Sequence, residues 1–384
     1  MKLRSSGPKL LCFFLLLFLL STQVVAQVTV GCPGGTPGTF SSLGQAIFSS
    51  PDHSTFLVSG TCTENIDIQD RSNLSFFGNP TATIQSADPD LETLIITFSK
   101  SISFNQNLIF TGGQGITISG SPNVRFNNVT VQNSGSFGIT SADSVVHILK
   151  SSVTGNTRSG VVITGGAFYV DGNVNVTNNG RLGISAGTAH LVMGSGFGTN
   201  IVNHNGLGGI QVFGAGQADL SGDNQITSNG GDFAVLVLNS GGLLMSSGIV
   251  NSNTGLGIHC GGTSHCELSG THVDSNGAGG IEIVEHSDAS LDGAVDISGN
   301  TGAGILVDQS SSLTSLGSNT ISNNTGDGLI LNTLSALKFV GTDTITATTG
   351  NLALNCNNGS LVEGDVTPYK PRRCGAAFQD IPIH

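Results

Sequence analysis

The sequence predicts an all-β solenoid of stacked parallel strands, with about 23 residues and three strands in each coil. Three observations predict it. A Gly-apolar-x-apolar motif returns at steps of 22 to 26 residues, its first apolar residue falling at Ile116, Ile139, Val161, Ile184, Ile210, Val235, Ile258, Ile281, Ile305, Leu329 and Leu352, with Gly before it in nine of the eleven and Ala234 and Asn351 in the others. Glycine supplies 56 of 384 residues, about twice ordinary usage, without the strict triplet period of collagen. The apolar residues, 38% of the chain, arrive in short alternating stretches of period two, too many for a disordered chain and wrongly spaced for helices.

Two further apolar columns complete the coil. One runs Leu220, Leu244, Leu268, Leu291, Leu337 and Leu361, and the other Ile226, Val250, Val273, Ile297, Ile321 and Ile345. A single repeat of this size cannot bury its apolar face, whereas stacked copies form a continuous core and satisfy one another's backbone groups. An asparagine recurs once per coil at Asn133, Asn156, Asn179, Asn205, Asn229, Asn253, Asn276, Asn300 and Asn324. Asparagine tolerates left-handed turn geometry, and stacked amides hydrogen-bond along the axis, so these residues read as structural.

Before the repeats, residues 1–26 carry Lys2, Arg4 and Lys9, then an apolar run from Leu10 to Leu20 and the small-residue end Val24-Val25-Ala26. That order is expected of a secretory signal peptide, and the run is short for a membrane span. Its removal would take Cys12 and leave six cysteines, grouped by proximity as Cys32 with Cys62, Cys260 with Cys266, and Cys356 with Cys374. Six cysteines allow fifteen pairings, and an exported chain favours disulfides. Residues 27–54 are expected to cap the stack, with Phe40 to Phe48 as a short amphipathic helix. The solenoid is expected over residues 55–366, with Pro80 to Pro89 as a loop thrown out between early coils, and residues 367–384 as a tail.

In this pattern the chain resembles a right-handed parallel β-helix of the pectin-lyase-like superfamily. The opening Thr55 to Ile68 resembles that superfamily's first strand, and Gly60-Thr61-Cys62-Thr63-Glu64-Asn65 its G-T-Y-x-E-N element, with Cys62 in place of Tyr. About thirteen coils would give a rod of roughly 60 Å.

The resemblance implies that any chemistry lies on the outer face of the first sheet, the one built from the Gly-apolar motif. Alternation places Thr117, Thr140, Val162, Ser185, Gln211, Leu236, His259, Glu282, Leu306, Ile330 and Ala353 outward there. The next outward column holds Thr164, Phe213, Leu238, Val284, Asp308 and Asn332, and neither column contains a Lys or Arg. The motifs that mark polygalacturonases, pectin methylesterases and pectate lyases are missing, the last because the chain has no Trp. The best remaining catalytic grouping is His259 with Glu282 on adjacent coils and Asp308 one coil on, where a carboxylate can orient an imidazole base.

The cluster His259, Cys260, His265, Cys266 and His272 does not suit a metal, since alternation sends Cys260 inward when His259 faces out. No metal or cofactor is expected. Thirteen Lys and Arg against 25 Asp and Glu argue against nucleic acid or an anionic membrane as partner. The expectation is therefore a secreted protein, periplasmic if bacterial, that without catalysis binds an extracellular polysaccharide or matrix or serves as an extracellular structural element. A divergent polysaccharide lyase, hydrolase or epimerase is the alternative.

Overall fold

Each coil passes through three short strands, and each strand hydrogen-bonds in parallel to its counterparts one coil before and one coil after. The computed structural model describes residues 26–373 except 195 and 197, so the expected signal segment and Cys374 lie outside the described residues. About fourteen turns stack in this way, one more than the thirteen coils expected. The first sheet takes the Gly-apolar strands, in the register Ile210, Val235, Ile258, Ile281, Ile305, Leu329. The third sheet aligns Ile226, Val250, Val273, Ile297, Ile321 and Ile345 as the repeat predicts.

The second column departs from expectation. Leu244 and Leu361 face solvent at 43% and 53% exposure, while Met245 and Val362 turn inward. Leu220 stacks on Met245, then Leu268 and Leu291, and Leu337 lies inward in the neighbouring row with Leu313. Both errors fall where consecutive apolar residues hide the period of two, so a one-residue slip costs nothing in the pattern. The final coil likewise shifts: Leu354, not Leu352, pairs with Leu329, so Ala353 is buried and Asn355 faces out. The segment after Pro80 is not wholly a loop either, because the strand Ser72–Gln85 continues through it. The loop that follows is latched by Asn65, whose Nδ2 donates to Ser86 Oγ and Glu92 O, both 2.8 Å away.

The asparagines from Asn156 to Asn324 form a buried ladder in which each Nδ2 donates to the Oδ1 of the next, for example Asn205 to Asn229 at 3.0 Å. Asn133 is not part of it; Ser134 takes the rung and its backbone N–H donates to Asn156 Oδ1. Left-handed backbone belongs to the residue before each ladder position, such as Asn133 (φ 55°), Asn178 (φ 56°) and Ser252 (φ 55°).

Both ends of the core are closed. At the start, the helix Leu43–Ser49 buries Leu43, Ala46 and Ile47. Glu64 accepts hydrogen bonds from the N–H groups of Leu43 and Gly44, and Arg71 donates to the carbonyls of Ile47 (2.6 Å) and Ser50 (2.7 Å). The Arg71 Nε also meets Asp52 at 2.8 Å. Burial pushes the Asp52 carboxyl up, but hydrogen bonds from Arg71 and Ser72 outweigh it and hold it below its usual value. Arg71→Ala should therefore loosen this cap by about 3 kcal/mol, the scale of lost charged hydrogen bonds. Limited proteolysis would register it as faster cleavage around residues 43–54, and unchanged cleavage would refute it. At the other end Tyr369, buried, packs on Phe339 with ring centroids 4.9 Å apart. Burial, with Asp343 and Asp365 nearby, raises the Tyr369 hydroxyl to about 12.

Candidate functional site

The main row on the outer face of the first sheet has one residue per coil: Thr117, Thr140, Val162, Ser185, Gln211, Leu236, His259, Glu282, Leu306, Ile330, Asn355. Arg373 joins at the last rung beside Asn355, so the row is not free of cations. His259 Nδ1 and Glu282 Oε2 lie 2.7 Å apart, with side chains only 12% and 24% exposed. The Phe233 ring packs on the imidazole at 4.7 Å, and Nε2 abuts Gly261, where an added Cβ would meet it at 2.7 Å. The pair thus has the orientation a general base needs, enclosed by Phe233, Leu236 and Leu306. Asp308 stands in the adjacent column one coil on and accepts a hydrogen bond from the N–H of Gln309 at 2.6 Å.

This arrangement is one of a series. His147 with Asp171 (3.6 Å), His190 with Asp219 (2.8 Å), His272 with Asp296 (3.7 Å) and His265 with Asp288 also join adjacent coils. Between Leu182 and Leu337 the sequence has no Lys or Arg, so histidine is the only cationic side chain available there.

Two arginines that the column reading overlooked border the same face further up. Arg158 lies over the Phe137 ring, 5.4 Å from its centroid, and Arg181 follows one coil on, its backbone N–H donating to Arg158 O. Among the described residues neither forms an ion pair. Arg181, Phe137, Leu182, Leu207, Ser185 and Gln211 line a shallow hollow of about 270 Å³ over the row. Both arginines sit in the turn leading into the sheet. Their spacing of 23 residues, equal to the repeat, was the signal available in the sequence. A larger hollow of about 790 Å³ lies at the N-terminal end of the same face, between the capping helix and Asp67, Gln69 and Asp70, where Asp67 heads the row through Ile95 to Thr117.

Disulfides join Cys32 to Cys62 and Cys260 to Cys266. Cys356 is also disulfide-bonded, and Cys374, its expected partner, lies outside the described residues. The one metal-like grouping among the described residues, Cys32, Cys62 and Glu64, has both sulfurs committed to a disulfide. No helix among the described residues is long and apolar enough to cross a membrane.

Residues 208–366 match the family model described as a right handed beta helix region. No curated protein matches the chain in sequence. Among solved structures, the A-module of Azotobacter vinelandii mannuronan C-5 epimerase AlgE4 is similar over 88% of this chain and 93% of its own, at 12% identity and TM-score 0.46. Tailspike protein 3 of bacteriophage CBA120 is similar over 91% and 65%, at 13% identity and TM-score 0.44. The Streptococcus pneumoniae surface adhesin PfbA is similar over 80% and 84%, at 10% identity and TM-score 0.36.

Proposed function

We propose that this chain, a right-handed parallel β-helix of the pectin-lyase-like type, is a secreted, non-catalytic protein that binds a polysaccharide along the outer face of its first sheet. The observation that carries the reading is a separation. Arg181, which can neutralise a sugar carboxylate, and His259, which can act as a base, stand three coils apart. At the spacing of parallel strands that is roughly 14 Å along the axis, too far to serve one sugar ring. The repeated pairing of histidine with acid on adjacent coils supports it, since the His259–Glu282 contact is then part of how the coils are joined. Three disulfide-bonded regions and the signal-like start of the sequence support export.

The purified chain should retain acidic polysaccharides in affinity electrophoresis and yield no shortened products by mass spectrometry. Arg158→Ala with Arg181→Ala should weaken retention about tenfold, the scale of a lost charged contact. Shortened or unsaturated products would overturn the reading. One observation favours the enzymatic alternative: Glu282 lies 2.7 Å from His259 Nδ1, the pairing that orients an imidazole base. In that case His259→Ala and Glu282→Gln would each abolish turnover, with Asp308 as the nearest further acid.

A further inference from the structure

The second sheet carries its own outward row, in the register Ser75, Ser103, Arg125, His147, Tyr169. At its lower end a cavity of about 270 Å³ is lined by Asn73, Ser75, Ser101, Ser103, Asn123 and Arg125. Hydroxyls and amides dominate this lining. Ser75 and Ser103 share a hydrogen bond of 2.9 Å, and Asn123 Nδ2 donates to Ser101 Oγ at 3.2 Å. Each hydroxyl and amide keeps further donor or acceptor capacity toward the cavity.

Arg125 is the charged group of the row. Its Nε donates to Asn123 Oδ1 at 2.8 Å, which fixes the plane of the guanidinium and leaves both terminal nitrogens, Nη1 and Nη2, for a ligand. Among the described residues it forms no ion pair. A guanidinium held by one edge presents the two-pronged donor geometry that a carboxylate accepts. One coil further, the His147 ring stacks on Tyr169 with centroids 4.5 Å apart and planes 8° from parallel. Asp171 lies 3.6 Å from His147 Nδ1, so Nε2 and the Tyr169 hydroxyl are the polar tips of an apolar wall. Burial, and then the neighbouring Arg125, lower the His147 basicity against the opposing pull of Asp171.

We infer that this row is a second, separate ligand site, which takes an oligosaccharide bearing a carboxylate. Arg125 grips the carboxylate, the Ser and Asn groups meet sugar hydroxyls, and the His147–Tyr169 stack walls one end. The site lies on a different sheet from the proposed polysaccharide face and does not depend on it.

The test is calorimetric titration of the full chain with a uronate tetrasaccharide and with its carboxyl-reduced, neutral counterpart. To silence the first sheet, the titration uses the Arg158→Ala/Arg181→Ala background. One equivalent of the uronate should still bind, at least tenfold more tightly than the neutral sugar. Adding Arg125→Ala should abolish that preference, and adding Tyr169→Leu should weaken both sugars, with circular dichroism unchanged. The inference is overturned if the background variant binds nothing, or if Arg125→Ala leaves the preference intact. Failure of the first-sheet reading has a different signature, since Arg158→Ala/Arg181→Ala would then leave the stoichiometry of the parent chain unaltered.

Discussion

Asn179→Leu should destabilise the protein by about 4 kcal/mol or more, while Asn178→Gly, one residue away, should stay within about 0.5 kcal/mol. The neighbours share a side chain and nothing else. Asn179 is 1% exposed, and its Nδ2 donates to Val153 O (3.2 Å) and Asn205 Oδ1 (2.9 Å). Its Oδ1 accepts from both the backbone N–H (3.2 Å) and the Nδ2 (2.8 Å) of Asn156. Leucine has similar bulk but leaves those donors and acceptors buried and unpaired, and each such group costs about 1–3 kcal/mol. Asn178 is exposed at φ 56°, a conformation glycine adopts without strain. Urea unfolding followed by circular dichroism measures both changes. Exchange of the Asn156 amide localises the first, because its acceptor is the side chain removed. Equal midpoints for Asn179→Leu and the parent chain would remove the ladder from any account of stability.

That contrast also marks how far the sequence could be read. The period exposed the asparagines, because identical residues in identical positions make a pattern visible. It does not separate the buried rung from the left-handed residue before it: Asn133 fits the period, yet Ser134 fills the rung. The first and third sheets were legible for the same reason, with a β-branched or leucine side chain at nearly every coil. The inward row of the second sheet was not, since it changes in kind along the rod: Phe76, Phe104, Phe126, Ile148, Val170, Met193 and Leu220 occupy one row. Volume is conserved there more than identity, and a core asks only for volume.

Arg158, Arg181 and Arg125 escaped for another reason. The resemblance points to two outward columns of one sheet, whereas two of these arginines rise from a turn and the third from the neighbouring sheet. Contacts made across coils, such as the stack of His147 on Tyr169, need the register of the stack before they can be seen.

The other large effect is expected at Phe104, where alanine should cost about 4–5 kcal/mol. Phe104 is 1% exposed and lies between Phe76 (4.9 Å, 14°) and Phe126 (5.2 Å, 13°), with the edge of Phe110 at 5.3 Å. Removing a buried ring loses its transfer free energy and opens a cavity, typically about 3–5 kcal/mol in all. Each lost ring contact adds about 0.5–1.5 kcal/mol beyond area. The stack fixes where that void would form, because the rings above and below are each held on their far coil and can close on it only by moving strands. Phe104→Leu should recover more than half of the loss by refilling most of the volume. A double-mutant cycle with Phe76→Leu isolates the ring-on-ring part, with a coupling near 1 kcal/mol expected and zero counting against the stack. Ser103 and Arg125 stand on the opposite face of the same two coils. If the rings hold those strands in place, Phe104→Ala should weaken uronate binding at the second-sheet row more than Phe104→Leu does, although neither residue touches the ligand.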